Sequence, residues 1–325
     1  MYIFRYNYDI TILLQEIIMN NTKSEKSNVS YEDGFFMGKN DIKIYYKSYE
    51  VDDSKSVIVI SHGFCESSEK YREFIKTLNK NNNAVYIIDH RGHGQSGRLG
   101  IDDSQINVED FNYYVEDFKT FLDSIVMPNL NYRGLYLYAH SMGGAIGTLL
   151  LEKHNQYFKK AILNCPMMKI DTGKYSNAFA KVVSKLMCMI GMGNKYLFGQ
   201  SAFNGKPDLI SPATSSQKRY DSYFNKQLEH KYLQTSGGSF NWINLAFKGI
   251  KELFKKENIN NIKADILLFQ AGKDTFVKPE GHNKFVSLAK TCEFVRIEDA
   301  KHEIYIERDE IRNPYIEKVL DFYNK

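Results

Sequence analysis

Cysteine is scarce in this chain. Cys65, Cys165, Cys188 and Cys292 are the only four in 325 residues, and no two form a C-x-x-C pair. That excludes a disulfide scaffold and points to a reduced, cytoplasmic protein. No apolar run has the length of a membrane-spanning helix. No block of Lys and Arg makes a basic stripe, and 43 Lys+Arg against 39 Asp+Glu leave a net charge of only +4. A nucleic-acid partner is therefore not expected. Collagen-like periods, long disordered tracts and self-similar repeats are missing as well. What remains is 43% hydrophobic and 25% charged residues, the mix of a globular protein with a sizeable core. By length the chain equals about two average domains, though single α/β domains reach this size.

The N-terminus from Met1 to Met19 is apolar but carries Arg5, Asp9 and Glu16, which argues against a secretory signal. Two readings stay open for it: an interfacial helix, or an extension upstream of a start at Met19. Asn20 to Asn28 is polar and linker-like, so residues 1–30 are read as an N-terminal extension.

Two short apolar stretches between Phe35 and Tyr49, around Gly38-Lys39-Asn40-Asp41, signal a hairpin. Val57–Ile60 and Val85–Ile88 are continuous apolar runs, as strands buried on both faces require. Tyr71, Phe74, Ile75 and Leu78 form one helical stripe, and Phe111, Tyr114, Val115, Phe118, Phe121, Leu122 and Ile125 a longer one. Asn107 is the expected cap of the second helix, with Asp110 in its first turn. Leu135–Ala139 reads as a strand, Met142–His154 as a helix and Ala161–Leu163 as a short strand. Such alternation implies a mainly parallel sheet with crossover helices. From Met168 to Asn258 there are helical stripes and loops but no buried strand. The alternation resumes with a strand at Ile266–Phe269, a helix at Glu280–Lys290 and a strand at Phe294–Ile297. The last helix is expected to start near Pro314, with the proline at its first position. The expected organisation is an α/β core in two parts, 31–167 and 259–325, interrupted by a helical insertion at 168–258.

Ala139-His140-Ser141-Met142-Gly143-Gly144 stands between a strand and a helix. This is a nucleophile-elbow pattern with Ala in place of the first Gly. Small residues are needed because the turn is tight and its serine strained. Ser141 would project from the carboxyl edge of the sheet, with the Met142 amide pointing at a developing oxyanion. A serine hydroxyl needs a base, and the base needs an orienting acid. Asp274, after the Ile266–Phe269 strand, and His302, after the Phe294–Ile297 strand, follow Ser141 in the required order. The loop after Val57–Ile60 is Ser61-His62-Gly63-Phe64-Cys65-Glu66, and the Phe64 amide is the candidate second oxyanion donor. Other histidines have simpler explanations. His90 and His93 are three apart but lack further ligands at a metal-binding spacing. Asp299 and Glu303 are too close to His302 in the chain to orient it. Cys65 reads as packing.

These residues resemble serine α/β-hydrolases of the monoacylglycerol lipase and lysophospholipase family. The motifs that carry the resemblance are His62-Gly63-Phe64, the Asp89–Leu99 segment DHRGHGQSGRL, Ala139–Gly144, Gly272-Lys273-Asp274 and Lys301-His302-Glu303. Ser96-Gly97-Arg98-Leu99, Gln217-Lys218-Arg219-Tyr220, the Gly237–Trp242 segment GGSFNW and the tail from His302 to Asp309 are similar to the bacterial lysophospholipase branch. The resemblance covers about residues 40 to 325. It implies an α/β-hydrolase fold with a helical cap, ester hydrolysis without cofactor or metal, and a lysophospholipid or monoacylglycerol as substrate. A peripheral contact with the inner face of the membrane goes with such a substrate. In the cap, Phe179, Val182, Val183, Leu186, Met187 and Ile190 form an apolar stripe expected to line an acyl tunnel, or else to pack on the core. A general carboxylesterase, a serine peptidase on the same fold and a non-catalytic binding protein are the alternatives.

Overall fold

The structure is a computed structural model that describes residues 29–325. The apolar Met1–Met19 segment and the polar stretch after it lie outside the described residues. Val29 and Ser30, read from sequence as the end of the extension, already belong to the first strand. β1 (Val29–Met37) and β2 (Lys43–Val51) make an antiparallel hairpin in which Val29 faces Val51 and Met37 faces Lys43. Between them Asn40 and Asp41 take left-handed backbone angles, both at φ 56°, as such residues tolerate in turns. β1 extends beyond its apolar stretch because it is an edge strand with mostly exposed side chains, so its pattern carries little signal.

The chain continues through β3 (Ser56–Ser61), α1 (Arg72–Lys80), β4 (Asn83–Ile88), α2 (Phe111–Phe121), β5 (Gly134–His140), α3 (Met142–Lys153) and β6 (Lys160–Asn164). Between β6 and the next strand lie α4 (Asn177–Met189), α5 (Gln217–Glu229), α6 (Phe240–Leu253) and α7 (Lys256–Ile259). Then come β7 (Asp265–Ala271), α8 (Pro279–Leu288), β8 (Cys292–Ile297) and α9 (Asp309–Asn324). The sheet order is β1-β2-β4-β3-β5-β6-β7-β8, and every neighbouring pair from β4 onward is parallel. β3 and β4 are buried along their whole length, which explains their unbroken Val and Ile runs. α3 is mostly apolar and buried on nearly all sides because it too is enclosed, against α2 and α6.

Two local expectations are corrected. The cap of α2 is Asp110, whose carboxylate accepts the Asn112 N–H at 2.9 Å. Asn107 instead accepts the Ser239 hydroxyl at 2.7 Å and donates to the Leu99 carbonyl at 3.1 Å, so it ties the start of α6 to the core. α9 begins at Asp309, five residues before Pro314, which lies inside it. The buried stripe Ile311, Tyr315, Ile316, Val319 and Tyr323 starts before the proline. Burying it offsets the one hydrogen bond that Pro314 cannot donate. Asp309 and Glu310 sit in the first turn, where the helix dipole favours them.

Because six strands run parallel, their carboxyl ends share one edge of the sheet. The loops that leave β3, β5, β7 and β8 there carry Phe64, Ser141, Asp274 and His302.

Candidate active site

Ser141 occupies the one-residue junction between β5 and α3 at φ 53°, ψ −118°. A non-glycine residue holds such angles only when its surroundings over-determine them. Here the Ser141 N–H donates to the Asn164 carbonyl at 3.1 Å, and the Ser141 carbonyl accepts from Met167 N–H at 2.7 Å. A side chain at Gly143 would place its Cβ 2.2 Å from the Ser61 carbonyl oxygen, and one at Gly144 would stand 2.6 Å from Pro166. The small residues of the elbow thus let α3 start hard against β3.

The three residues expected to act together are in hydrogen-bond contact. His302 Nε2 lies 2.8 Å from Ser141 Oγ, and His302 Nδ1 lies 2.6 Å from Asp274 Oδ2. With the proton on Nδ1, His302 donates to Asp274 and accepts from Ser141. The other oxygen of Asp274 accepts the N–H groups of Phe276 (2.8 Å) and Val277 (3.1 Å), which fixes the carboxylate in its loop. Burial acts to lower the pKa of His302, but the Asp274 carboxylate outweighs it and holds the imidazole above its ordinary value. Burial likewise acts to raise Asp274, and His302 with the two amides holds it below the usual carboxylate range.

The loop after β3 passes alongside. A Cβ at Gly63 would stand 3.1 Å from Ser141 Cβ, so only glycine lets the main chain come this close. Neither Phe64 N–H nor Met142 N–H has a hydrogen-bond partner among the described residues.

One feature of this loop escaped the sequence reading. Glu66 is buried and accepts Gly63 N–H at 2.6 Å, Tyr71 OH at 2.7 Å and Tyr305 OH at 2.9 Å. Lys70 pairs with Glu66 at 3.3 Å and also with Glu303. Burial acts to raise Glu66, but the Lys70 ammonium and its other donors hold it well below the usual range. The only sequence signal for this cluster is three charged residues in or beside the His62-Gly63-Phe64 and Lys301-His302-Glu303 motifs. Their pairing spans more than two hundred residues and cannot be read from spacing.

Four further histidines lie near the site, and two of them, His90 at Nδ1 and His93 at Nε2, keep a buried ring nitrogen without a partner among the described residues. His140 Nδ1 faces Asn164, and burial pushes its pKa down to about 3, so it is neutral. His62, His90 and His93 cluster in the core, with ring centroids 4.7 Å and 5.2 Å apart from His62. His62 uses both nitrogens on main-chain groups, while burial lowers the pKa of all three. In the same segment Arg91, fully buried, makes a two-pronged pair with Asp117 at 2.7 and 2.9 Å, and Arg98 donates to the Tyr232 carbonyl at 2.7 Å. Through these two arginines the DHRGHGQSGRL segment clamps α2 and the loop after α5 to the core. Glu66, His140 and Glu303 do converge, with ligand atoms within 4.8 Å. The Lys70 ammonium already sits between the two carboxylates, in the role a cation would take. Burial pushes the Cys65 thiol up to about 12, which leaves it protonated and unreactive.

Two cavities meet at Ser141. One, of about 490 Å³, is the more polar of the two and reaches past Glu66, Lys70, His302 and Glu303 to Tyr223 and Gln227. The other, of about 520 Å³, is apolar and runs between Met167, Phe179, Val183, Phe198, Trp242 and Val277. α4 contributes to the second, but not as its stripe suggested. Phe179, itself 53% exposed, and Val183 line the cavity, whereas Val182, Leu186 and Ile190 stand outside it and are 66%, 52% and 58% exposed. The inward face of α4 is Ala180, Val183, Ser184 and Met187. Because large apolar residues stand on both faces, periodicity could not choose between them. α5 is fastened to the core by Arg219, which grips Glu73 at 2.7 and 2.8 Å and Asp309 at 2.6 Å.

Among the described residues no helix is long and apolar enough to cross a membrane. Comparison with known proteins agrees with this architecture. The chain is 28% identical over 297 residues to lysophospholipase L2 of Escherichia coli K12, covering 89% of this chain and 86% of that one. It is 30% identical over 138 residues to human monoglyceride lipase, covering 42% of this chain and 43% of that protein. In three dimensions it is similar to a soluble variant of monoglyceride lipase from Saccharomyces cerevisiae, with a TM-score of 0.72 and 18% identity over 92% of this chain and 96% of that one. The sequence profile described as serine aminopeptidase, S33 matches residues 52–309, so this chain is an α/β-hydrolase and belongs to that family.

Proposed function

We propose that this protein is a serine carboxylic-ester hydrolase that releases the fatty acid from a monoacyl lipid, a lysophospholipid first and a monoacylglycerol second. The observation that carries the reading is the Ser141–His302–Asp274 relay at the junction of an apolar and a polar cavity. A monoacyl lipid has one long chain and one polar head, and its ester lies between them. The similarity to lysophospholipase L2 and to monoglyceride lipases supports the same reading.

In this mechanism Ser141 Oγ attacks the ester carbonyl as His302 Nε2 takes its proton. Asp274 keeps the other His302 proton on Nδ1 and stabilises the imidazolium. The amides of Phe64 and Met142 hold the oxyanion, which is why neither is engaged at rest. Imidazolium then protonates the departing glycerol oxygen. Water, deprotonated by His302, cleaves the acyl-enzyme and releases the fatty acid. Glu66 sets the loop by gripping Gly63 N–H and thereby aims the Phe64 amide. Hydrolysis measured across lysophospholipids, monoacylglycerols, triacylglycerols and aminoacyl amides tests the proposal. Monoacyl lipids are expected to be cleaved well and triacylglycerols poorly, and a preference for aminoacyl amides overturns it in favour of a peptidase.

The apolar cavity makes chain length measurable. Each methylene buried there contributes about 0.8 kcal/mol, or about fourfold in kcat/KM, until the cavity is filled. Val183→Asp puts a carboxylate in its wall and is expected to lower kcat/KM for long acyl esters far more than for acetate esters. Equal loss at every chain length would assign Val183 to core packing instead.

The outward face of α4 supports a peripheral membrane contact. Val182, Leu186, Met189 and Ile190 are each more than half exposed and share that face. Leu186→Asp with Ile190→Asp is expected to weaken sedimentation with phospholipid vesicles and to leave hydrolysis of monomeric short-chain esters intact. Unchanged vesicle binding would remove this face from the contact.

A further inference from the structure

The polar cavity carries a charge pattern that ester cleavage does not use. Its lining holds one cation, Lys70, and three acids, Glu66, Asp208 and Glu303. Lys70 is committed within the protein: its ammonium pairs with Glu303, lies 3.3 Å from Glu66 and stands 5.1 Å from the centre of the Tyr223 ring. His140 adds no positive charge. Glu66 is itself saturated by Gly63, Tyr71 and Tyr305. Glu303 is not. It is only 7% exposed, accepts from Lys70 at Oε1, and has no hydrogen-bond partner at Oε2 among the described residues. Glu303 lines the open cavity, so that oxygen is available to a donor on a ligand. Asp208 stands exposed at the rim, with its N–H donating to the Tyr220 hydroxyl at 2.7 Å. Tyr220 and Phe224 are stacked at 5.9 Å beside it and line the same cavity.

Unmatched acids next to aromatic faces are the environment that attracts an organic ammonium ion. They repel a second negative charge. We propose that this cavity holds the ammonium of an amine-bearing lysophospholipid head group, with Glu303 and Asp208 as counter-charges and the Tyr220 and Tyr223 rings as walls. Ethanolamine and choline heads share this chemistry; a primary ammonium can in addition donate to Glu303 Oε2. The phosphodiester meets the hydroxyl-bearing Thr235 and Ser236 of the lining, not a cation. A phosphomonoester, with its extra charge, has no unpaired cation to meet. The assignment rests on the monoacyl-lipid reading of the site.

The test measures binding apart from turnover. Ser141→Ala protein is titrated calorimetrically with lysophosphatidylethanolamine, lysophosphatidylcholine, lysophosphatidylglycerol, lysophosphatidic acid and monoacylglycerol. All carry one acyl chain and are kept below their micellar concentrations. The two amine heads are expected to bind about tenfold or more tighter than the two anionic heads. Adding Asp208→Asn or Glu303→Gln is expected to weaken the amine heads about fivefold or more relative to monoacylglycerol, which has no ammonium. Ethanolamine should lose more than choline with Glu303→Gln. Anionic heads that bind as tightly as amine heads, or variants that weaken all five ligands alike, would overturn the assignment. If Glu303→Gln does not fold, the exposed Asp208→Asn decides. Wild-type turnover on the same lipids is read separately. Absence of any ester cleavage sinks the proposed function, whereas the binding order alone decides the ammonium site.

Discussion

Ser141→Ala is expected to reduce monoacyl-ester turnover by about 10⁴ to 10⁶, with His302→Ala nearly as severe and the double variant hardly worse than either. The reason lies in the geometry. Ser141 Oγ and His302 Nε2 share one hydrogen bond of 2.8 Å. Neither group performs its step without the other, so removing the second costs almost nothing more. The fold should survive. Ser141 holds its place through its main-chain bonds to Asn164 and Met167, which alanine keeps. Alanine also keeps the strained backbone angles. Kinetics under one substrate condition, with circular dichroism as the folding control, checks this. Near-wild-type esterase activity in Ser141→Ala would end the assignment of a serine nucleophile. Additive losses in the double variant would mean that serine and histidine act in separate steps.

Asp274→Asn should cut kcat by about 10⁴ with little loss of stability. Asparagine can retain the carbonyl oxygen that accepts Phe276 and Val277 N–H, so the loop after β7 is preserved. Its amide, however, faces His302 Nδ1 as a donor and forces the imidazole proton onto Nε2. That nitrogen then points a hydrogen at Ser141 and cannot accept one. A second consequence concerns pH. Histidine must be neutral to act as base, so kcat/KM falls as pH drops through the His302 pKa. In the wild type the Asp274 carboxylate holds that pKa above the ordinary histidine value of about 6.5. Without the carboxylate, burial pulls the pKa down, and the acid limb of the residual activity is expected to move to lower pH. An unchanged pH profile would show that His302 does not titrate against Asp274, and a loss of less than about tenfold would assign the orienting role to another acid.

How much of this was legible in the residues follows from how local each signal is. Strands β3 and β4 and the stripes of α1 and α2 announce themselves because burial imposes a short-range period on the chain. The place of Ser141 between β5 and α3 is equally local, since a turn that tight admits only small neighbours. The contact of Ser141, His302 and Asp274 could be anticipated because each leaves the carboxyl end of a strand, and strand order constrains which ends meet. Signals failed where local rules competed with packing. Asp110 rather than Asn107 caps α2 because Asn107 is drawn into contact with Ser239. Pro314 sits inside α9 because a buried stripe on both sides of it outweighs one missing hydrogen bond. β1 was underestimated because an exposed edge strand has little pattern to read.

The sequence by itself determined the α/β alternation, the interruption after β6 and the position of the elbow, because these depend on periodicity and on residue size at single turns. Only the tertiary structure decided which face of α4 lines a cavity, since both faces carry large apolar residues. It alone joined Glu66, Lys70 and Glu303 into one buried cluster beside Ser141. It also divided the space above the elbow into an apolar and a polar cavity. A charge in a sequence has no partner until the chain is folded, and whether Glu303 is paired depends on Lys70, 233 residues away.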